Sequence, residues 1–246
     1  MWKKKYIVPL MVFLAVCIGF ICITLQNREP DSLKEAKIPH LIIESDTATE
    51  PEDPYDLRID FAELQKENPD IYAWIKVPGT NIDYPILQSA EEEDEYYLNH
   101  TAEKKEGFPG SIYTEKYNAT DFSDPVTVIY GHTLKDGTMF SELKKYRDKE
   151  FFESNPSIYI YLPTGRLTYQ IFAAVAFDDR YLLGSYDFGQ AGDVEDYIAD
   201  LKRCNDGNFN PHIAISDEMI TLSTCIGTAP DKRWLVCAVM TETQRY

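Results

Sequence analysis

Apolar positions along the chain fall into three regimes. Tyr6 to Leu25 are twenty mostly apolar positions without a charge, long enough as a helix to cross about 30 Å of hydrocarbon. Residues 29–59 are polar, acidic and proline-bearing, as in "ESDTATEPEDPYDL", a composition that suits a stalk. From Ile71 onward, short runs with alternating or continuous apolar character recur: "IYAWIKVP", "NIDYPILQ", "GSIYTE", "PVTVIYGH", "SIYIYLP", "RLTYQIFAAVAF", "EMITLSTC" and "RWLVCAVMTE". Bounded by Gly, Pro, Asn and Asp, these eight runs predict strands of a single barrel or sandwich.

Helical spacing interrupts the strands in three places. "DFAELQKENPD" (60–70) offers Asp60 as an N-cap and stops at Pro69. Residues 138–155 and 193–205 read as amphipathic helices, with Val194, Tyr197, Ile198 and Leu201 on one face of the second. The expected organisation is a cytoplasmic tip and signal-anchor over 1–28, an extracellular linker over 29–59, and one mainly β domain with helical decorations over 60–246.

Charge sharpens the topology. Lys3, Lys4 and Lys5 precede the apolar span and only Arg28 soon follows it, so the positive-inside rule places the N-terminus in the cytoplasm and the rest outside. No small-x-small cleavage site ends the span, which favours retention in the cell membrane as a single-pass anchor. Of the 24 Lys and Arg, four lie in the first 28 residues, which hold no Asp or Glu. The 20 that remain face 41 acids, a balance of −21, and that excess makes nucleic acid an unsuitable partner.

Three cysteines lie beyond the span: Cys204, Cys225 and Cys237. The odd number leaves at least one thiol, and thiols at all three are preferred to a Cys204–Cys237 bridge. No CxxC occurs, and His40, His100, His132 and His212 lack zinc-ligand spacing; no metal site of that kind is expected. The run "EEEDE" (91–95) lacks the interval pattern of a calcium loop and reads as a solvated turn.

Cys225 ends an apolar run beside Ser223 and Thr224, whereas Cys237 lies mid-run among apolar neighbours and Cys204 closes a helix. A thiol nucleophile needs a partner for its proton. His132, at the end of "PVTVIYGH", is the best-placed imidazole; His40, His100 and His212 read as ordinary surface. Arg233 opens the next run, and its rigid guanidinium suits an oxyanion. Strand alternation turns the adjacent Lys232 to the other face.

"TLSTC", an arginine after seven intervening residues, and "YGH" about ninety residues upstream together resemble the sortases, the membrane-anchored cysteine transpeptidases of Gram-positive bacteria. The likeness runs over roughly residues 60–242. It is greatest for class B: "AWIKVPGTNIDYPILQ" is similar to that class's first two strands, "YGHTLKDGTMFSELKKYRDKEFF" to its histidine loop and following helix, and 193–205 to its helical insertion. The family often carries a second His or an Asn where Thr133 stands, a departure not expected to touch the chemistry. Asp53-Pro54-Tyr55 resembles the lid of class C pilin polymerases, although the C-terminal span common in that class is missing.

The resemblance implies an eight-stranded barrel with Cys225 as nucleophile, His132 as general acid/base and Arg233 as oxyanion stabiliser, with Ser223 and Thr224 shaping the substrate groove. It implies no cofactor. Expected partners are secreted proteins with a C-terminal sorting signal, Asn-Pro-x-Thr-Asn-like or Ser/Pro-Pro-x-Thr-Gly-like, and a peptidoglycan or pilin amine as acceptor. The rivals are a class C-like pilin polymerase, a secreted cell-wall cysteine peptidase or L,D-transpeptidase, and an inactive wall-facing binding module. Cysteine peptidases of the papain and cell-wall kinds place Cys before His, the reverse of the order here.

Overall fold

The computed structural model describes residues 53–213 and 218–246. The predicted membrane span lies outside them, and no helix among the described residues is long and apolar enough to cross a membrane. Helix α1 (Phe61–Glu67) forms where expected. The Asp60 carboxylate accepts the Glu63 N–H at 3.0 Å, and Phe61 and Leu64 are buried, satisfying a helix-start donor that would otherwise lack a partner.

Nine strands follow: β1 (Ile71–Lys76), β2 (Asp83–Leu87), β3 (Ile112–Tyr113), β4 (Val126–Tyr130), β5 (Ser157–Leu162), β6 (Gly165–Asp178), β7 (Gly207–Phe209), β8 (Met219–Ile226) and β9 (Ala229–Arg245). The hydrogen-bonded order is β5-β1-β2-β3-β4-β8-β9-β6, and β5 pairs again with β6. That second pairing closes an eight-stranded barrel and removes its open edges. Strand β6 is long enough to serve two partners on one side: residues 165–170 pair with β5, while 173–175 pair with the short outer strand β7.

Alternation along these strands feeds two apolar cores. Ile75, Ile86, Ile129, Ile160, Leu222, Trp234 and Val236 point into the barrel. Val128, Phe172, Val175, Met219, Leu235 and Cys237 point outward and are covered by an insertion between β6 and β7. The insertion consists of α3 (Leu182–Ser185) and α4 (Ala191–Arg203). It buries Leu182, Leu183, Tyr197 and Leu201 against the sheet, which is how a sheet with apolar residues on both faces escapes water.

The expected helix over 138–155 is two elements, a 3-10 turn at Ser141–Arg147 and α2 (Lys149–Ser154). Asp148 makes the break. Its backbone is extended (φ −72°, ψ 128°) and its carboxylate accepts the Phe151 N–H at 2.8 Å, so it ends one element and caps the next. Leu143, Tyr146 and Phe152 still enter the barrel core, so the apolar spacing is real although the helix is not continuous.

The chain is already docked from Asp53, within the stretch expected as linker. Asp53 pairs with Arg166 at 2.6 Å, Tyr55 stacks on Tyr159 with centroids 4.5 Å apart, and the Tyr161 hydroxyl donates to the Tyr55 carbonyl at 2.8 Å. Arg58 lies 3.7 Å over the Tyr246 ring. This strap sits where β6 and β9 pair as Arg166↔Gln244; the opposite end of the same ladder pairs Phe177 with Arg233.

Candidate active site

The pairing register sets where three distant residues stand. Strands β4 and β8 run parallel with Tyr130 beside Ser223, and the Gly131 N–H donates to the Ser223 carbonyl at 3.2 Å. Two residues further on in each segment, past the end of β4, the direction of the parallel register carries His132 toward Cys225. On the other side of β8, Cys225 is the direct register partner of Arg233 on β9. Side chains opposite one another across a ladder share a face, so Cys225 and Arg233 stand side by side on β8 and β9, and His132 lies just past the end of the neighbouring β4. Cys225 alternates with Thr221 and Met219, which places the pair on the outer face of the barrel, at the end of the core that the insertion covers.

Local packing accounts for each placement. A Cβ on Gly131 would lie 2.4 Å from Ile112 Cδ1 and 2.7 Å from Phe140 Cδ2, so only glycine lets the chain leave β4 there. The half-buried His132 ring bonds through Nε2 to the Leu98 carbonyl at 2.8 Å and packs 5.1 Å from the Phe108 ring. A carbonyl only accepts, so Nε2 carries the proton and Nδ1 keeps the lone pair. Burial pushes the imidazole below its ordinary value and outweighs the opposing effect of the Leu98 bond.

Arg233 is held by its own hairpin. Between the pairs Cys225↔Arg233 and Ile226↔Ala229, β9 carries three residues that oppose nothing on β8. This bulge turns the Pro230 and Lys232 carbonyls onto Arg233 Nη1 at 3.1 and 3.0 Å. The segment between Cys225 and Arg233 is thus a hairpin with a bulge, with strand pairing resumed on both sides of it. Lys232 is exposed and lines a separate cleft of about 470 Å³ with Arg180, Asp200 and Cys204.

Ser223 and Thr224, expected in the groove, part company. Ser223 shares the face of Cys225 and is buried. Thr224, 4% exposed, points to the barrel side with its register partner Trp234. Its hydroxyl is 2.6 Å from the Gly131 carbonyl and 2.9 Å from Thr133 Oγ1. Cys204, Cys225 and Cys237 are all thiols. Cys237 is buried against the Tyr197 hydroxyl at 3.4 Å, and burial raises its pKa to about 11. Among the described residues, no three His, Cys, Asp or Glu side chains converge as metal ligands.

Other residues in this region escape a strand-by-strand reading. Leu98 and Phe108 belong to the long β2–β3 connection, which folds back through bonds such as Gly107 N–H to the Asn99 carbonyl at 2.7 Å. Gly110 is required there: its φ is +70° and a Cβ would meet the Leu98 oxygen at 2.3 Å. The glycines and proline of "GFPG" were the available signal. Glu115, 4% exposed, accepts a hydrogen bond from the Tyr181 hydroxyl at the start of the insertion. Burial, with Asp94 and Glu95 adding repulsion, pushes the Glu115 carboxyl above its ordinary value despite that bond.

Comparison with known proteins bears on the same fold. The Sortase domain family matches residues 75–241. Sortase B of Listeria monocytogenes is 35% identical over 170 residues, 69% of this chain and 68% of that protein. The Staphylococcus aureus sortase B–substrate complex has a TM-score of 0.65 at 30% identity, covering 74% of this chain and 84% of that one. A Streptococcus pyogenes class B sortase involved in pilus biogenesis has a TM-score of 0.63 at 29% identity, covering 74% and 98%. A closed eight-stranded barrel carrying a thiol at the end of β8 thus coincides with a matching sortase family model and class B sortase relatives, and the chain belongs to the sortase family of cysteine transpeptidases, in class B.

Proposed function

We propose that this enzyme cleaves a sorting signal near the C-terminus of secreted proteins through a thioacyl bond on Cys225 and passes the acyl group to a cell-wall or pilin amine. The observation that carries this reading is the pair Cys225 and Arg233 on β8 and β9, with His132 on the segment that leaves the adjacent β4. A neutral imidazole beside a thiol can take its proton on Nδ1 as sulfur attacks a peptide carbonyl. The tetrahedral oxyanion faces Arg233, whose two hairpin bonds both run through Nη1 and leave the Nη2 and Nε donors for the anion. His132 then returns the proton to the departing amine. The incoming amine loses a proton to the same nitrogen, attacks the thioester and regenerates the Cys225 thiol.

The domain works outside the cell, tethered by the span Tyr6–Leu25, on Asn-Pro-x-Thr-Asn-like or Ser/Pro-Pro-x-Thr-Gly-like signals. The relatives support this class of substrate: one solved neighbour is a sortase B with substrate bound and another serves pilus biogenesis.

The test uses the full-length chain in detergent with fluorogenic peptides of both motif types and a glycine-based amine. Cys225→Ala should abolish cleavage, and His132→Ala and Arg233→Ala should lower kcat/KM by at least about 10²-fold. Cleavage surviving in Cys225→Ala overturns the nucleophile assignment, and damage from Lys232→Ala equal to that from Arg233→Ala overturns the choice between these neighbours. For the tether, the chain should stay with membranes after carbonate washing, with its domain open to protease on intact protoplasts; release by carbonate refutes the anchor.

A further inference from the structure

The β4–β8 ladder stops one residue short of the chemistry. Its last link is the Gly131 N–H to the Ser223 carbonyl at 3.2 Å, and His132 and Cys225 lie beyond it. Two side chains on the inner face carry the connection further. Thr224 lies 2.6 Å from the Gly131 carbonyl, which only accepts, so the single Thr224 hydroxyl hydrogen goes there. Thr224 Oγ1 must then be the acceptor in its 2.9 Å contact with Thr133, whose hydroxyl donates. The residue before the cysteine thereby grips the residues immediately before and after the histidine. The far side of the histidine loop is closed by the Phe140 N–H donating to the His132 carbonyl at 2.9 Å and by the bridge Thr133↔Met139.

We propose that Thr133 and Thr224 are positioning residues for transpeptidation: their hydroxyl relay holds His132 abreast of Cys225 from the barrel side of the sheet. The proposal rests on the roles assigned to His132 and Cys225 above. Thr224 faces away from Cys225, so the relay acts on geometry without touching substrate. Its expected signature follows from that. Small displacements of a catalytic group reduce the chemical step by up to about 10²-fold, while binding determinants elsewhere in the groove are left alone. Thr133, which the sequence offers as an incidental replacement in the histidine loop, becomes the outer end of the relay.

The test compares Thr133→Val, Thr133→Ser, Thr224→Val and the double valine variant in the full-length chain, reading kcat, KM, the pH profile and alkylation of Cys225 by iodoacetamide mapped by mass spectrometry. Thr133→Val should lower kcat about 10- to 100-fold with KM within about threefold, and should shift the acid limb of the pH profile. Thr133→Ser, which keeps the donor, should restore kcat to within about threefold of the parent. The double variant should be no worse than Thr224→Val alone, because that substitution already severs both links. Full kcat in Thr133→Val, a serine variant as poor as the valine, or a loss confined to KM overturns the proposal. If Thr224→Val does not fold, the Thr133 pair decides, since Thr133 is half-exposed. Activity surviving in Cys225→Ala would sink the catalytic assignment itself; a dead Cys225→Ala with an unimpaired Thr133→Val sinks only the relay.

Discussion

Replacing Asp53 by Ala tests what holds the strap and what it does. Arg166 is 5% exposed; Nη1 is 2.6 Å from Asp53, the guanidinium lies 5.1 Å over Tyr159, and Nε is buried without a hydrogen-bond partner. Removing one partner of a fully buried pair costs about 3–5 kcal/mol, whereas an exposed pair is worth about 0–1 kcal/mol. Asp53 is 45% exposed at its side chain, so water replaces part of the lost interaction and the cost should fall near 2 kcal/mol. At about 2–4 °C per kcal/mol for a domain of this size, Tm should drop by roughly 4–8 °C. Adding Arg166→Met should recover much of the loss, because no buried charge is then stranded. Differential scanning calorimetry of the parent, single and double variants reads this directly. Peptide cleavage should be unchanged at a temperature where all are folded. Arg166 and Arg233 lie at opposite ends of the β6–β9 ladder, and β6, with its 14 residues, spans a path on the order of 45 Å. An unchanged Tm refutes the energetic argument. A rise in kcat/KM refutes the placement and would revive a lid role for Asp53-Pro54-Tyr55.

Two further predictions concern the histidine and pH. Gly110→Ala places a methyl group 2.3 Å from the Leu98 oxygen at φ +70°, so the carbonyl that holds His132 must move; kcat should fall about tenfold or more, and an unimpaired variant would show that the Leu98 bond is dispensable. Stability should decline as pH falls from 7 to 3 in urea melts. His132 has a folded pKa below its unfolded value near 6.5, so its contribution is present above that value and lost as pH drops through it. Asp53 and Asp70 act the same way near pH 4: burial raises both, but for Asp53 the Tyr55 N–H and Arg166 outweigh it, and for Asp70 Lys104 at 2.9 Å and the Tyr97 hydroxyl at 2.7 Å do so. Glu115 has the opposite sign. Its raised pKa means stability present at low pH and lost as pH rises from the ordinary carboxyl value through the folded one, so Glu115 opposes the rise given by the other three groups; Glu115→Gln should steepen that rise above the ordinary carboxyl value, and a flatter one would contradict the burial argument.

What the sequence determined by itself was local. Alternating or continuous apolar runs marked all eight barrel strands, because a strand covered on one face alternates and one covered on both is apolar throughout; Asp60 announced α1, because a helix start needs an acceptor for its free N–H groups. Cys225, His132 and Arg233 could be singled out because thiol, imidazole and guanidinium stood at the ends of apolar runs; that Arg233 lies four residues inside β9, opposite Cys225, came only from the strand register. Spacing alone read 138–155 as a single helix, since the apolar positions of a 3-10 turn and a short α-helix around Asp148 mimic one continuous face. Barrel closure was not written in any run; it depends on β5 meeting both β1 and β6. Tertiary structure likewise decided which face Thr224 takes, that the Leu98 carbonyl meets His132, and that Glu115 meets Tyr181. Each of these contacts joins residues far apart in the chain, where neither periodicity nor propensity carries information and only the register of paired strands fixes who stands beside whom.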